Sequence, residues 1–536
     1  MASNSPASSD TGDLFQRKAT GLLKGWSAWD GFIYATFSIN LITLGFLALS
    51  YAPFIPNGSL ILAIILAGLY LIFQTVTYAA LIAVMPRAGG DYVWTSRVLG
   101  GSIGFVLAVT GWWFILWHWV PIYADLLNKE VFVPMAAILN LDGVASYFSG
   151  ATGLFVSCMI VALLASLFIS LGMRAYARIQ KFCFYGALVG LAVMIVVLLV
   201  SSRSDFVSAY NTGAQELFGA GSDAYQKTIE AGSVEISSAF YPTLLLIPFL
   251  AFFNLYSNWG ATLYGEVRGA SDFRKNIYAM AGALVFTSTA AVILLLLFAK
   301  TFGWNFYYAA NVAFFAGEGP VLAWPYPGLF AALLLGSPVL QVILVALLSL
   351  WFFGWVGTVF LSSTRVVFAT AFDRVLPEWV AKTSRNGVPY AALLLMLIPS
   401  IPISYWYAFG EDFATWTLAA TLVIAVTFLG SAFAATILPW WKKDLYQNSP
   451  LARMSVLGLP LVSIAGGITT IFLGWVLFMW ITDPNGLYLI GTSNPNSIIF
   501  LGILYGVAAI IYVAARLYRR TQGVDLDAIH AEIPAD

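Results

Sequence analysis

The chain has 536 residues, 60 % of them hydrophobic, and only 9 % carry a charge, against about 25 % in a soluble domain. Lys and Arg balance Asp and Glu at 25 each, which argues against nucleic acid as a ligand. The two cysteines, Cys158 and Cys183, lie within apolar runs and speak against a disulfide framework or a zinc site.

Residues 1–26 read as a polar N-terminal tail without the apolar stretch of a cleavable signal. A bilayer core takes about 20 mostly apolar residues per helix. Twelve segments meet that length, at 27–50, 59–85, 103–127, 151–171, 178–201, 239–263, 277–302, 337–371, 387–409, 413–438, 455–482 and 496–519. The longest connection, 202–238, reads as an external loop. The Pro-rich stretch 303–335 reads as a second one with short helical pieces, and 520–536 as a charged C-terminal tail. The expectation is an all-α integral membrane protein.

Positive charge marks the side of a membrane protein that stays inside. With a cytoplasmic N-terminus, 21 basic residues fall on the cytoplasmic side, among them Arg17, Lys18, Arg87, Arg97, Arg365 and Arg519. Only Lys129, Arg203, Lys227 and Lys300 fall outside. Both termini are therefore expected in the cytoplasm. The chain shows no nucleophile pattern, metal cluster or phosphate loop, and no soluble domain large enough for catalysis. It reads as a transporter and not an enzyme, with no cofactor.

Polar side chains inside spans are costly and commonly face a cavity or a neighbouring helix. Ser38, Asn40 and Thr43 cluster midway along the first span, followed by Gly45; Asn254, Ser257 and Asn258 do so in the sixth, followed by Gly260. Each polar residue alone can serve simply as an interhelical hydrogen bond. Two interrupted spans in corresponding positions point instead to an inverted-repeat transporter. Its halves are 27–201 and 239–438, with spans eleven and twelve occupying 439–519. Freed amides at such breaks can hold a carboxylate and freed carbonyls an ammonium, the two groups of an α-amino acid.

Three stretches carry a resemblance: MPRAGGDYVWTSRVLGGSIGF at 85–105, YGEVRGASDFRKN at 264–276, and SSTRVVFATAFDRVLPEWVAKTSRNGVPYAALLL at 362–395. In order and spacing they resemble the amino acid–polyamine–organocation (APC) superfamily over roughly residues 25–440. Within them Pro86, Arg87, Gly89, Gly90, Asp91, Glu266, Arg365, Asp373 and Arg374 match the family's motifs on the expected cytoplasmic face.

The resemblance implies twelve helices in a five-plus-five inverted repeat of the leucine-transporter type, with unwound first and sixth helices and alternating access in the plasma membrane. It places an unwound stretch at Phe253–Asn258 and a break near Leu41, Ile42 and Thr43, where the family's glycines are missing. Candidate substrate contacts are Ser38, Ile39, Asn40, Leu41, Thr43, Phe253, Asn254, Tyr256, Ser257 and Asn258, with Trp113 and Trp117 from the aromatic third span. The family often has glycine and an acid where Tyr256 and Asn258 stand. Their absence, with the aromatic lining, favours a neutral or aromatic amino acid.

For coupling, Ala187 falls near the span-five lysine of some proton-coupled relatives, and no other acid or base lies well inside a span. That leaves His118, or Asp125 nearer the outside, for a proton, and Thr358 for sodium; exchange of solutes needs neither. The simpler expectation for His118 is a neutral imidazole bonded to a neighbour's carbonyl. Besides substrate and membrane lipid no partner is required. The alternatives are a nucleobase, amine or other organic cation as solute, or a channel.

Overall fold

The computed structural model describes residues 21–410, 413–416 and 419–532; most of the N-terminal tail, with Arg17 and Lys18, lies outside them. Twelve helices are long and apolar enough to cross a membrane. Among the described residues the β-structure assigned as strands is a hairpin pairing Ser455–Val456 with Leu459–Pro460.

How much of each span is covered divides the bundle into layers. The most apolar window of the first span, Ala28–Phe54, is 89 % buried, whereas that of the twelfth, Pro495–Thr521, is 22 % buried. A helix that is hydrophobic all round and also buried belongs to the centre, and one that exposes its hydrophobes belongs against lipid. The third (Gly101–Ile138) and sixth (Phe240–Glu266) spans join the first in the centre; the fourth (Ala151–Ser170), fifth (Met173–Val200) and ninth (Tyr390–Phe409) stand outside.

Local chemistry sets several ends. Ser27 and Asp30 form a reciprocal capping box at the start of the first span, satisfying amides that have no intrahelical acceptor. Asp30 also pairs with Lys181 of the fifth span at 2.8 Å. Loop 202–238 is more ordered than expected, holding helices Arg203–Phe218 and Ala224–Ala231. Phe206, Tyr210 and Tyr225 pack against Phe306 of the helix Trp304–Ala316. That helix and Pro327–Leu333 are the short pieces expected in 303–335.

One boundary is corrected with consequence. The third span, expected at 103–127, continues unbroken to Ile138. The charges that end its apolar run are accommodated: Lys129 reaches back one turn to Asp125 at 2.7 Å, both partly exposed, while Glu130 turns inward and is buried. Glu130 is thus a buried acid toward the far end of the helix that carries the third span.

Candidate functional site

In the first span the α-helix Ala28–Ile39 ends at Asn40, whose φ is +47°, and a wide π-type turn over Leu41–Gly45 leads into Phe46–Ser50. The left-handed conformation usually calls for glycine, but asparagine adopts it with a small penalty and can bond locally. Here the Asn40 side chain accepts from the Thr43 amide at 3.1 Å and donates to the Trp351 carbonyl at 3.4 Å. Asn40 thus takes the place of the missing glycines.

The sixth span changes pitch instead of opening. The α-helix runs to Asn254, then a tighter 3-10 coil covers Leu255–Glu266 with one non-helical residue, Tyr256. Phe253 and Asn254 remain helical, so the expected unwound stretch Phe253–Asn258 is corrected to a kink at Tyr256. The two interrupted spans pack closely. A Cβ on Gly45 would lie 3.5 Å from the Phe253 ring, and one on Gly260 3.1 Å from the Tyr34 ring.

The polar side chains at these interruptions have different fates. Ser38 spends its hydroxyl on the Tyr34 carbonyl of its own helix at 2.7 Å, and Ile39 and Leu41 are fully buried in the core. Asn258 accepts at 2.8 Å from Gln74 of the second span, which donates to the Leu255 carbonyl as well. Gln74 was missed because a lone glutamine in an apolar run carries no spacing signal. Left buried without a partner are the Thr43 and Ser257 hydroxyls, both polar atoms of Asn254 and the Asn258 amide nitrogen. Buried polar atoms are ordinarily paired, and these stand unpaired around the two interruptions.

The aromatic residues of the third span divide by helical phase. Trp113 and Trp117, four residues apart, both donate to the Leu395 carbonyl of the ninth span and so turn away from the sixth. Trp119, about 200° further round than Trp117, meets the Tyr256 ring edge-on at 5.5 Å. One helical turn on, Tyr123 stacks on Trp355 and bonds the Thr358 hydroxyl at 2.8 Å. His118 bonds the Phe114 carbonyl one turn back on its own helix, not a neighbour's, and contacts Phe500 of the twelfth span. A cavity of about 160 Å³ lies above the kink, walled by Leu44, Tyr51, Trp119, Asp125, Phe252, Tyr407 and Thr421.

On the face bearing both described ends of the chain, the three quoted stretches converge. The Gly89 amide bonds the Thr262 carbonyl at 2.8 Å. A Cβ on Gly89 would lie 2.5 Å from Ala369, and one on Gly90 2.9 Å from the Thr262 backbone. Both glycines also have positive φ, so the turn after Pro86 and Arg87 can lie flush on the sixth and eighth spans. Arg365 grips Glu266 with two bonds of 2.7 and 2.9 Å, both side chains buried. Asp91 accepts from Tyr78, Trp112 and Ser431. Asp373 pairs with Arg97, and Arg374, at positive φ, pairs with Glu378 at 3.4 Å. The Trp26 amide bonds the Glu266 carbonyl, clamping the first span to the sixth.

An amino acid permease family profile matches residues 30–509. The chain belongs to the amino acid permease family. No curated protein matches it. The matched residues contain both interruptions and all three stretches, so this permease is a membrane transporter whose family moves amino acids. The network of buried ion pairs and glycine contacts closes one of its faces, and the cavity lies toward the other.

Proposed function

We propose that this permease carries neutral or aromatic amino acids across the plasma membrane by alternating access, with both termini in the cytoplasm. The substrate sits between the kink at Tyr256 and the turn at Asn40. The two halves, 27–201 and 239–438, act as the inverted repeat whose relative movement exposes that place to each side in turn. The observation that carries the reading is the concentration of unpartnered buried polar atoms on Thr43, Asn254, Ser257 and Asn258 at the meeting of two interrupted spans. A zwitterion offers both donors and an anion to such atoms, and interrupted helices supply the backbone groups that complete its coordination. The aromatic wall of Trp119, Tyr256 and Trp259 suits an apolar side chain.

The test is uptake and counterflow of labelled amino acids in proteoliposomes, with leucine, phenylalanine, lysine and a nucleobase compared. Saturable uptake of leucine or phenylalanine is expected. Transport of the nucleobase alone would shift the solute class, and non-saturable flux would indicate a channel.

A further inference from the structure

Glu130 lies in a π-type turn, Asn128–Phe132, of the third span, a widening of the helix that recurs at functional sites. It is 1 % exposed, and neither carboxyl oxygen has a hydrogen-bond partner. The other buried acids among the described residues are engaged: Asp30 by Ser27 and Lys181, Asp91 by three donors, Glu266 by Arg365, Asp373 by Arg97 and Asp483 by the Tyr488 amide. Across from Glu130 stands the Thr43 hydroxyl of the first span, itself without a hydrogen-bond partner.

The charged groups that act on Glu130 are Asp125 and Lys129 of its own helix, and both line the outer cavity. Tyr326 approaches from the loop that follows the seventh span. The helix Asp142–Ser149 presents Asp142 and Tyr147 outward, both exposed, and the packed parts of Val133–Ile138 and the eighth span bring no titratable side chain to this turn. A bare buried carboxylate is costly, several kcal/mol even after relaxation, while a neutral acid is far cheaper to bury. Beside Glu130 the Thr43 hydroxyl is a neutral group that leaves a carboxylate charge uncompensated. The surroundings suit a proton.

We propose that Glu130 is the proton-coupling residue of this permease. Glu130 lies behind the cavity lining that Asp125 and Lys129 form. Its carboxyl takes one proton delivered past them from hydronium, whose O–H bond breaks as the carboxyl O–H bond forms, leaving water. It returns that proton to water on the opposite face when the first span moves at Asn40 and carries Thr43 away. Thr43 belongs both to this contact and to the proposed substrate place, so occupancy of one bears on the other. The inference rests on the transport reading above and extends it to the driving ion.

The test uses the full-length protein in proteoliposomes with tritiated phenylalanine, comparing wild type with Glu130→Gln and Glu130→Asp. An inward proton gradient is expected to drive accumulation in the wild type. Glu130→Gln should lower it by about tenfold while counterflow persists, and Glu130→Asp should recover part of it. Infrared spectra at neutral pH supply a readout independent of transport. The wild type is expected to show a protonated-carboxyl stretch that Glu130→Gln lacks. Sodium-driven accumulation, full accumulation by Glu130→Gln, or an unchanged carboxyl stretch would each overturn the proposal. Absence of all phenylalanine flux in the wild type would count against the transport reading instead, and the infrared comparison would still decide the protonation of Glu130.

Discussion

At the scale of single residues, what a polar side chain bonds to decides what its replacement does. Ser38 and Thr43 look equivalent in the sequence, but Ser38 bonds its own helix and Thr43 is unpartnered. Ser38→Ala is therefore expected to leave uptake nearly intact. Thr43→Val or Asn254→Leu removes a group available to a charged ligand, worth about 1.5–3 kcal/mol, and should raise KM roughly 10- to 150-fold; saturation curves in proteoliposomes check both. The buried pair of Arg365 and Glu266 behaves differently. Arg365→Leu strands a carboxylate and should cost about 3–5 kcal/mol of stability, whereas Arg365→Leu with Glu266→Leu should regain much of it. Thermal unfolding in detergent distinguishes the two.

At the scale of elements, the C-terminal helix Leu526–Ala531 folds back onto the face bearing the termini. His530 is buried with its Nε2 3.0 Å from the Tyr92 hydroxyl, and the Arg97 guanidinium donates to the Glu532 carbonyl at 3.1 Å. The tail thus sits on the Arg97–Asp373 pair that joins the third span's entry to the eighth span's end. Burial pushes the His530 imidazole below its ordinary value, with Asp373 at 4.0 Å opposing the shift. The undocked tail therefore binds a proton more readily than the docked one. Docking should be complete above about pH 6.5 and weaken as the pH falls below it. Hydrogen exchange across 526–532 is expected to speed up on acidification, and His530→Phe should flatten that response.

For the whole molecule, the closed face and the outer cavity make orientation measurable. Both native cysteines are buried, so an introduced cysteine can report alone. Leu457, in the hairpin before the eleventh span, is 98 % exposed, and Leu322, in the loop at 303–335, is 65 % exposed. In intact cells Leu322→Cys should react with an impermeant maleimide, and Leu457→Cys only after permeabilisation. The reverse pattern would invert the proposed topology.

The sequence by itself determined the twelve helices, because a run of about 20 apolar residues has few alternatives to spanning a bilayer. It also marked both interruptions, because amides and hydroxyls in the middle of such runs are conspicuous. The three quoted stretches were legible too, and the structure joins them through Gly89, Gly90 and the Arg365–Glu266 pair. Only the tertiary structure decided which polar atoms are already paired. It turned Trp113 and Trp117 to the ninth span and Trp119 to the sixth, matched Gln74 with Asn258, and carried Glu130 inside. The reason is physical: hydropathy reports how long a helix can stay in lipid, whereas the partner of a side chain depends on helical phase and on neighbours distant in the chain. Glu130 was hidden because its charged neighbours Asp125 and Lys129 ended the apolar run, and their pairing is what allows the helix to continue.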